Sequence, residues 1–500
     1  MKIKLISFLS IITLCTNGQT TDDAIRFSEN TFGTTARSLA MGGAFGALGG
    51  DFSVTGQNPA GLAIYRRGEL TFSPAFNLHA ISNNFEGNNT NDSRFYFNFG
   101  SAGLVFAKYK EQKSGWKGFN FAFGYNRETT YKSYEKFSGI NKSNSMLNSF
   151  VEQAEGVPVS NLEDIEYAFG PGMAYNLYLM NPVTPTATTY TAAIANGGAL
   201  QKEDMSIKGN SGNFLFSMSN NFNDLLMLGA TFELRSLRYD YKSTYREVDI
   251  SDTINSPYFG MDIKDWAFFR EESTDGAAVS LKFGMIVRPT DNIRIGAAIH
   301  SPAWYNMTYE DNYNMESTFG ANGDSVFTLT SPPSSTFEYR YNTPFRALGS
   351  VAFIFPAKGL ISFDYEYTNQ QAARFKKADE FDYNFSFENG IIKEFHAKQH
   401  TIKVGGELFI SNMYLRAGGV YTTSPYTENV LPKEYDYSSI SYTVGIGWRW
   451  QKSYFDIGYA LTQTHQYKVP YSLADNSQPG IESKNNLHRL MFTYGIRFNR

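Results

Sequence analysis

The sequence predicts an all-β protein, a fourteen-stranded antiparallel transmembrane β-barrel with an N-terminal hatch, or plug, inside its lumen. Three observations carry this. Aromatic residues make up 16% of the chain, with 42 Phe and 33 Tyr, whereas only 18% of residues are charged, below the roughly 25% of soluble domains. Mean hydropathy is nevertheless -0.35, as expected where lipid-facing and lumen-facing residues alternate and cancel within any window. The second observation is that alternation itself, repeated in segment after segment. The third is a sorting of connections into short and long by turns, which a membrane barrel requires and a soluble sandwich has no reason to show. An even strand count puts both chain ends in the periplasm.

The chain opens with Lys2 and Lys4, an apolar run from Leu5 to Leu14, and small residues at Thr16-Asn17-Gly18. This reads as a signal peptide over residues 1–18, cut before Gln19, because the apolar run is about half of what spans a bilayer. Cys15, the only cysteine, falls inside it. As a lipoprotein acceptor it is poor, with bulky Leu14 before it.

Residues 19–66 read as the hatch. From Thr34 to Leu62 they are glycine-dense and almost uncharged. Gly42 and Gly43 allow tight turns and close backbone approach, and Asn58-Pro59-Ala60 sets a turn through the fixed φ of Pro59. A flexible linker is the competing reading. Leu39, Met41, Phe45, Leu48, Phe52 and Leu62 weigh against it, since a solvated linker avoids apolar residues.

Residues 67–500 read as the barrel. Glu69 to His79 starts the strand series, Phe95 to Phe106 follows, and Phe119, Phe121, Phe123 and Tyr125 then alternate with small or polar residues, the period-2 signature of a wall with one apolar face. Residues 135–207 break the pattern. They include a short amphipathic helix at Ser145 to Ala154, and they are read as a long extracellular loop in preference to a separate soluble domain.

Strands resume in pairs: Phe214 to Met218 with Leu226 to Leu234, Ala277 to Val287 with Ile293 to Ile299, Phe345 to Phe355 with Ile361 to Tyr367, and Ile402 to Ile410 with Met413 to Ala417. Ile440 to Trp450, Phe455 to Leu461 and Leu490 to Phe498 complete the fourteen. The turns near 114, 222, 290, 357, 411 and 452 are read as short and periplasmic, those near 86, 170, 260, 323, 386, 431 and 476 as longer and extracellular. Trp304, Tyr305, Tyr309, Trp448 and Trp450 fit an interfacial aromatic girdle.

No catalytic constellation is present, and no enzyme activity or cofactor is expected. The Gly42 to Gly50 stretch lacks Gly-x-Gly-x-x-Gly order and follows no strand. His396 and His400 lack the zinc-protease glutamate and read as a solvated loop pair. Asp249, Asp252, Asp262 and Asp265 lack calcium-loop spacing. The net charge of -4, with no basic patch, argues against a nucleic-acid partner. On the lumen parity of their strands, Arg294, His300, Arg416 and Arg449 read either as ordinary lumen lining or as cations for a ligand carboxylate.

Taken together, these features resemble the FadL/TodX-type outer-membrane transporters of hydrophobic compounds. The resemblance rests on Thr34 to Ala63 with its Arg-x-x-x-Met-Gly-Gly-Ala-Phe and Asn-Pro-Ala, on Leu281 to Ile299, on Thr343 to Gly349, and on Ile402 to Pro425. It implies a monomeric outer-membrane barrel, set in outer-membrane lipid, that takes up long-chain fatty acids or aromatic hydrocarbons past a hatch and releases them sideways through the wall. Gly42, Gly43, Asn58, Pro59 and Ala60 would be hatch and gating positions. Gly124, Tyr125 and Asn126 would lie at the wall opening. A non-transport barrel, acting in binding or protein secretion, is the alternative, and a general porin is disfavoured by the plug.

Overall fold

In a computed structural model of the protein, the described residues are 21–111, 115–164, 168–194, 198–250, 262–320, 325–330, 336–378, 383–427 and 437–498. The proposed signal peptide and Asp252 lie outside them. The described residues form a closed antiparallel barrel of fourteen strands.

In chain order these are β1 (Gly68–Phe85), β2 (Asn88–Tyr109), β3 (Trp116–Thr130, resumed at Ser133–Asn141), β4 (Ala199–Phe222), β5 (Leu226–Asp249), β6 (Ile263–Thr290) and β7 (Ile293–His300, resumed at Trp304–Phe319). The second half comprises β8 (Phe337–Asn342, resumed at Arg346–Phe355), β9 (Gly359–Asn369), β10 (Lys398–Ile410), β11 (Met413–Thr422), β12 (Ser439–Arg449), β13 (Ser453–Lys468) and β14 (Ile481–Phe498). The ring closes where β14 pairs with β1, from Gly68↔Phe498 to Phe85↔Ile481.

The predicted faces hold. Phe97, Phe119, Phe216, Phe283, Ile295 and Leu408 stand exposed on the outside, while Asn120, Ala122, Ser217, Glu233 and Ala298 are buried on the inward parity. An outer belt of this kind is what hydrocarbon tails solvate and water does not.

Several expectations need correcting. The strands run far past the length that crosses a bilayer, up to 28 residues in β6, because pairing continues outward with polar side chains after the apolar alternation ends. The connection near 86 is therefore not a long loop. It is a two-residue turn at Glu86 (φ 49) and Gly87 (φ 78), and both positive φ values suit a tight hairpin.

For the same reason the loop expected at 135–207 is shorter. Its flanks pair as strand, Ser133↔Ile207 to Asn141↔Ala199, and the part between folds into α-helices at Met146–Ala154 and Pro171–Asn176 and a small hairpin. Ser145 caps the first helix in a capping box with Asn148.

Tyr305 and Tyr309 are not girdle residues. They are buried inside, because Ser301-Pro302-Ala303 interrupts β7 and shifts the inward parity from even to odd residues. A matching interruption at Thr343-Pro344-Phe345 shifts it back in β8, from odd to even.

Candidate functional site

The N-terminal segment occupies the lumen. It was expected to come in from the short-turn end, but the first described residues lie at the opposite end. The Tyr426 hydroxyl, in the β11–β12 connection, donates to Asp22 at 2.7 Å, and Tyr341 donates to the Ala24 carbonyl at 2.5 Å. The segment then descends to Tyr65 and joins β1 where Gly68 pairs with Phe498.

Its descent is a set of short turns, each with its own cap. Thr35 caps Ala36–Ala40 by accepting from the Ser38 N–H, Asp51 caps Phe52–Gly56 through Ser53, and Asn58 caps Pro59–Ile64 through Ala60. Such residues satisfy the free N–H groups at a helix start, and proline fits the first helical position because it has none to satisfy. Asn58 does more than cap. Its amide donates to the Gly46 carbonyl at 2.6 Å and to Met285 of β6 at 3.2 Å, so Asn58-Pro59-Ala60 pins the segment to itself and to the wall. Gly42 (φ +61) and Gly43 (φ +69) take left-handed backbone, which costs other residues about 1–2 kcal/mol.

The wall is shaped to receive this backbone. A Cβ on Gly284 would lie 1.9 Å from the Asn58 Oδ1, one on Gly229 2.3 Å from the Pro59 carbonyl carbon, and one on Gly296 2.2 Å from the Gly46 oxygen. Gly405, Gly418 and Gly458 meet Met41, Met41 and Ala36 just as closely. These glycines sit at inward positions around the ring, and sequence reading did not single them out. Their signal was glycine where the lumen parity otherwise carries polar side chains. Between them, Phe45, Leu48, Phe52, Val54 and Leu62 pack on Val105, Ala122, Leu215 and Ala352.

Charge completes the docking. Arg37 meets Glu407 of β10 with two hydrogen bonds, 2.9 and 3.0 Å. Glu407 also holds Arg416 at 2.5 Å, and Asp456 holds Arg416 and Arg449 at 2.7 and 2.8 Å. Arg416 and Arg449 are thus already matched by wall carboxylates rather than waiting for a ligand. His300 sits against the segment, with Nε2 2.7 Å from the Gln57 carbonyl. Arg294 is on the inward parity near the short-turn end, its buried Nε without a hydrogen-bond partner. His396 and His400 are not a solvated pair. His396 is buried against the Tyr426 ring, whereas His400 faces outward with its Nδ1 2.7 Å from the Tyr365 hydroxyl.

Above the segment lies a cavity of about 760 Å³, with polar and apolar lining in similar measure. One flank is β1, β2 and the upper part of β3. There the β2–β3 ladder covers only Ser101↔Asn126 to Tyr109↔Gly118. Beyond Asn126 every crossing uses a side chain: Asn98 to the Thr130 hydroxyl at 3.0 Å, Arg127 to the Phe99 carbonyl at 3.2 Å and, farther up, Thr90 and Asn88 to the Lys136 and Ser138 carbonyls, both at 2.7 Å, with the Lys136 N–H donating to Asp92 at 3.0 Å. β3 meanwhile stays paired to β4, with a register shift between Arg127 and Thr129. Gly124 lies against the Phe52 ring, Tyr125 packs outward on Phe214, and Asn126 ends the ladder. Outside this seam are the exposed rings of Phe95, Phe97 and Phe99.

No family model matches the sequence, and no curated protein matches it. Solved structures do. A Pseudomonas aeruginosa FadL homologue superposes with a TM-score of 0.59 at 12% identity, over 94% of this chain and 100% of its own. The P. putida toluene transporter TodX gives 0.53 at 12%, over 94% and 100%. The Ralstonia pickettii toluene transporter TbuX gives 0.50 at 13%, again over 94% and 100%. At such identities the likeness is one of fold, and it is the fold that the resemblance in the sequence implied.

Proposed function

Starting from a FadL/TodX-type barrel, we propose that the protein is an outer-membrane channel for uptake of hydrophobic small molecules. The N-terminal segment serves as its hatch, and release is sideways into the membrane. The observation that supports this most is the position of the cavity. It lies between the docked segment, which closes the way toward the short-turn end, and the flank where the β2–β3 ladder stops. An apolar solute leaving through that flank meets phenylalanine and lipid rather than water, which a straight aqueous pore cannot offer. Gly42, Gly43, Asn58, Pro59 and Ala60 hold the hatch in place, and Gly124 to Asn126 mark the lower edge of the exit. The ring is complete within one chain, so the working unit is a monomer in outer-membrane lipid.

The test is uptake of radiolabelled long-chain fatty acid and of toluene by cells carrying the protein, compared with cells lacking it and with a variant deleted for residues 21–65. Uptake of either compound above background by the intact protein supports the reading. A polar-solute leak from the intact protein without hydrophobic uptake would instead indicate a general porin.

A further inference from the structure

The interruptions of β7 and β8 change the outside of the barrel as well as the inside. Before its break, β7 turns odd residues outward, with Ile295 and Ile299 half exposed. After it, Asn306 and Thr308 face out while Tyr305, Met307 and Tyr309 are buried within. The stretch Phe337–Asn342 of β8 likewise sends Glu338 and Arg340 out and keeps Phe337, Tyr339 and Tyr341 in. Interruptions of a strand re-aim its side chains. Here they place aromatic rings in the lumen and polar groups on the outer wall.

Register gathers those polar groups. Asn306 stands opposite Ala277 and Arg340, and Thr308 opposite Asp275 and Glu338. From the other side, β5 brings Ser236 to Ala277 and Arg238 to Asp275. Together they line a hollow of about 830 Å³. Its middle carries the small side chains of Ser236 and Ala277, and its sides carry the exposed Arg238 and Arg340. Asp240 fixes the Arg238 guanidinium, accepting from Nε at 3.1 Å and Nη2 at 3.3 Å. The two arginines are three strand spacings apart, roughly 14 Å.

The height of the hollow decides what faces it. The next outward row toward the short-turn end is Leu234, Val279 and Trp304, paired in register and 40–45% exposed. An exposed tryptophan at the end of an apolar row marks the level where hydrocarbon gives way to head groups. The hollow is therefore at head-group level, continuous with the lipid-facing belt and toward the long connections. Its chemistry selects the head. Arginine suits phosphate, whereas Ser236, Asn306 and Thr308, with the acceptors Asp275 and Glu338, complement sugar hydroxyls. A disaccharide with a phosphate at each end spans both arginines, and a single phosphate reaches only one.

We infer that this hollow binds the bisphosphorylated disaccharide head of an outer-leaflet glycolipid, whose acyl chains lie on Leu234, Val279 and Trp304. The site goes beyond the transport reading and shares with it only the placement of the barrel in the outer membrane with its long connections outside. It gives the two strand interruptions a role at the membrane surface, separate from the lumen.

The test is native mass spectrometry of the purified full-length protein in mild detergent, titrated with bisphosphorylated lipid A, with dephosphorylated lipid A and with diphosphatidylglycerol. The native protein is expected to hold one bisphosphorylated lipid A, at least fivefold more tightly than either comparison lipid. Arg238→Gln and Arg340→Gln should each weaken it about fivefold, the contribution of one basic side chain at an anionic lipid surface. Asn306→Leu should weaken lipid A and leave diphosphatidylglycerol unchanged. Retained heat-modifiable gel mobility certifies a folded barrel, and Arg340→Gln stands in if Arg238→Gln does not fold. Equal binding of diphosphatidylglycerol, or unchanged lipid A binding in both arginine variants, would overturn the site. So would a native dimer that dissociates in those variants, since a second copy would then cover the hollow. Hydrophobic uptake should stay native in both arginine variants, because neither side chain faces the lumen, so the transport reading and the lipid site fail separately.

Discussion

Arg37 and Glu407 carry much of the contact between segment and wall. Glu407 is 2% exposed and serves two cations. Arg37→Gln leaves Glu407 with Arg416 and should cost about 1.5–3 kcal/mol, the range for a hydrogen bond to a charge. Glu407→Gln strips both arginines and should cost about 3–5 kcal/mol, the range for breaking a buried pair. The temperature at which heat-modifiable mobility is lost should therefore fall in the order native, Arg37→Gln, Glu407→Gln. The reverse order would mean that the Arg37 contact is not held through Glu407.

A second residue-scale prediction concerns pH. His396 is in the β9–β10 connection, outside the spanning strands, and burial pushes its imidazole down from 6.5 to about 4. The native state resists protonation that the opened state accepts at 6.5. The stability contributed by neutral His396 is thus full above pH 6.5 and is lost as pH falls toward 4, to the extent of about 3 kcal/mol. Protease cutting after Lys393 should rise between pH 7 and pH 5 in the native chain relative to His396→Phe at the same pH. An identical response in both would remove His396 as its cause.

Among elements, the strands were legible because their signal is local. Phe119 to Tyr125 or Ile293 to Ile299 declare their face by alternation alone. What was misread lay where periodicity stops without pairing stopping. His79 ends an apolar alternation, yet Asn83 still pairs with Thr90, and the hairpin turn at Glu86-Gly87 follows seven residues later.

The outer cap on the 142–198 connection was hidden for a different reason. It is organised by Glu247, a buried carboxylate from another part of the chain. Glu247 accepts from the Met146 N–H, Gln201, the Tyr245 hydroxyl and the Trp266 indole at 2.7–3.0 Å, and from the Ser145 hydroxyl. Nothing near residue 247 in sequence points to that role.

The N-terminal segment was legible in its caps and turns but not in its seat, which depends on glycines scattered over β5 to β13. A testable consequence is that Gly284→Val, on the wall, and Gly43→Val, on the segment, should have like effects, since a Cβ on Gly284 meets the Asn58 side chain and one on Gly43, at positive φ, meets Phe32, and each displaces the segment from its seat. Each is expected to raise the single-channel conductance of the protein in planar bilayers relative to native. Unchanged conductance in Gly284→Val, with the barrel folded, would show that the close approach of Asn58 to β6 is dispensable for closing the lumen.

For the whole molecule, fourteen strands, their order and the filled lumen could be anticipated because a closed membrane barrel admits few alternatives once alternation and connection length agree. The cavity could not, because it is made by register: His79, Glu128, Arg346 and Lys468 come from four strands and line it together. Of the lumen cations that sequence did single out, Arg416 and Arg449 turned out to be bound to wall carboxylates, His300 sits against the Gln57 carbonyl, and the Arg294 Nε has no hydrogen-bond partner.

The proposed route depends on the β2–β3 flank parting above Asn126. Asn98 and Thr130 face each other across it, 3.0 Å apart through their side chains, and Cys15 is the chain's only cysteine. Replacing both (Asn98→Cys, Thr130→Cys) therefore permits a single cross-link over the seam. Hydrophobic-substrate uptake by cells carrying this double variant should fall to the level of cells without the protein when the pair is oxidised, and return on reduction. Full uptake with the cross-link formed would contradict release through this seam.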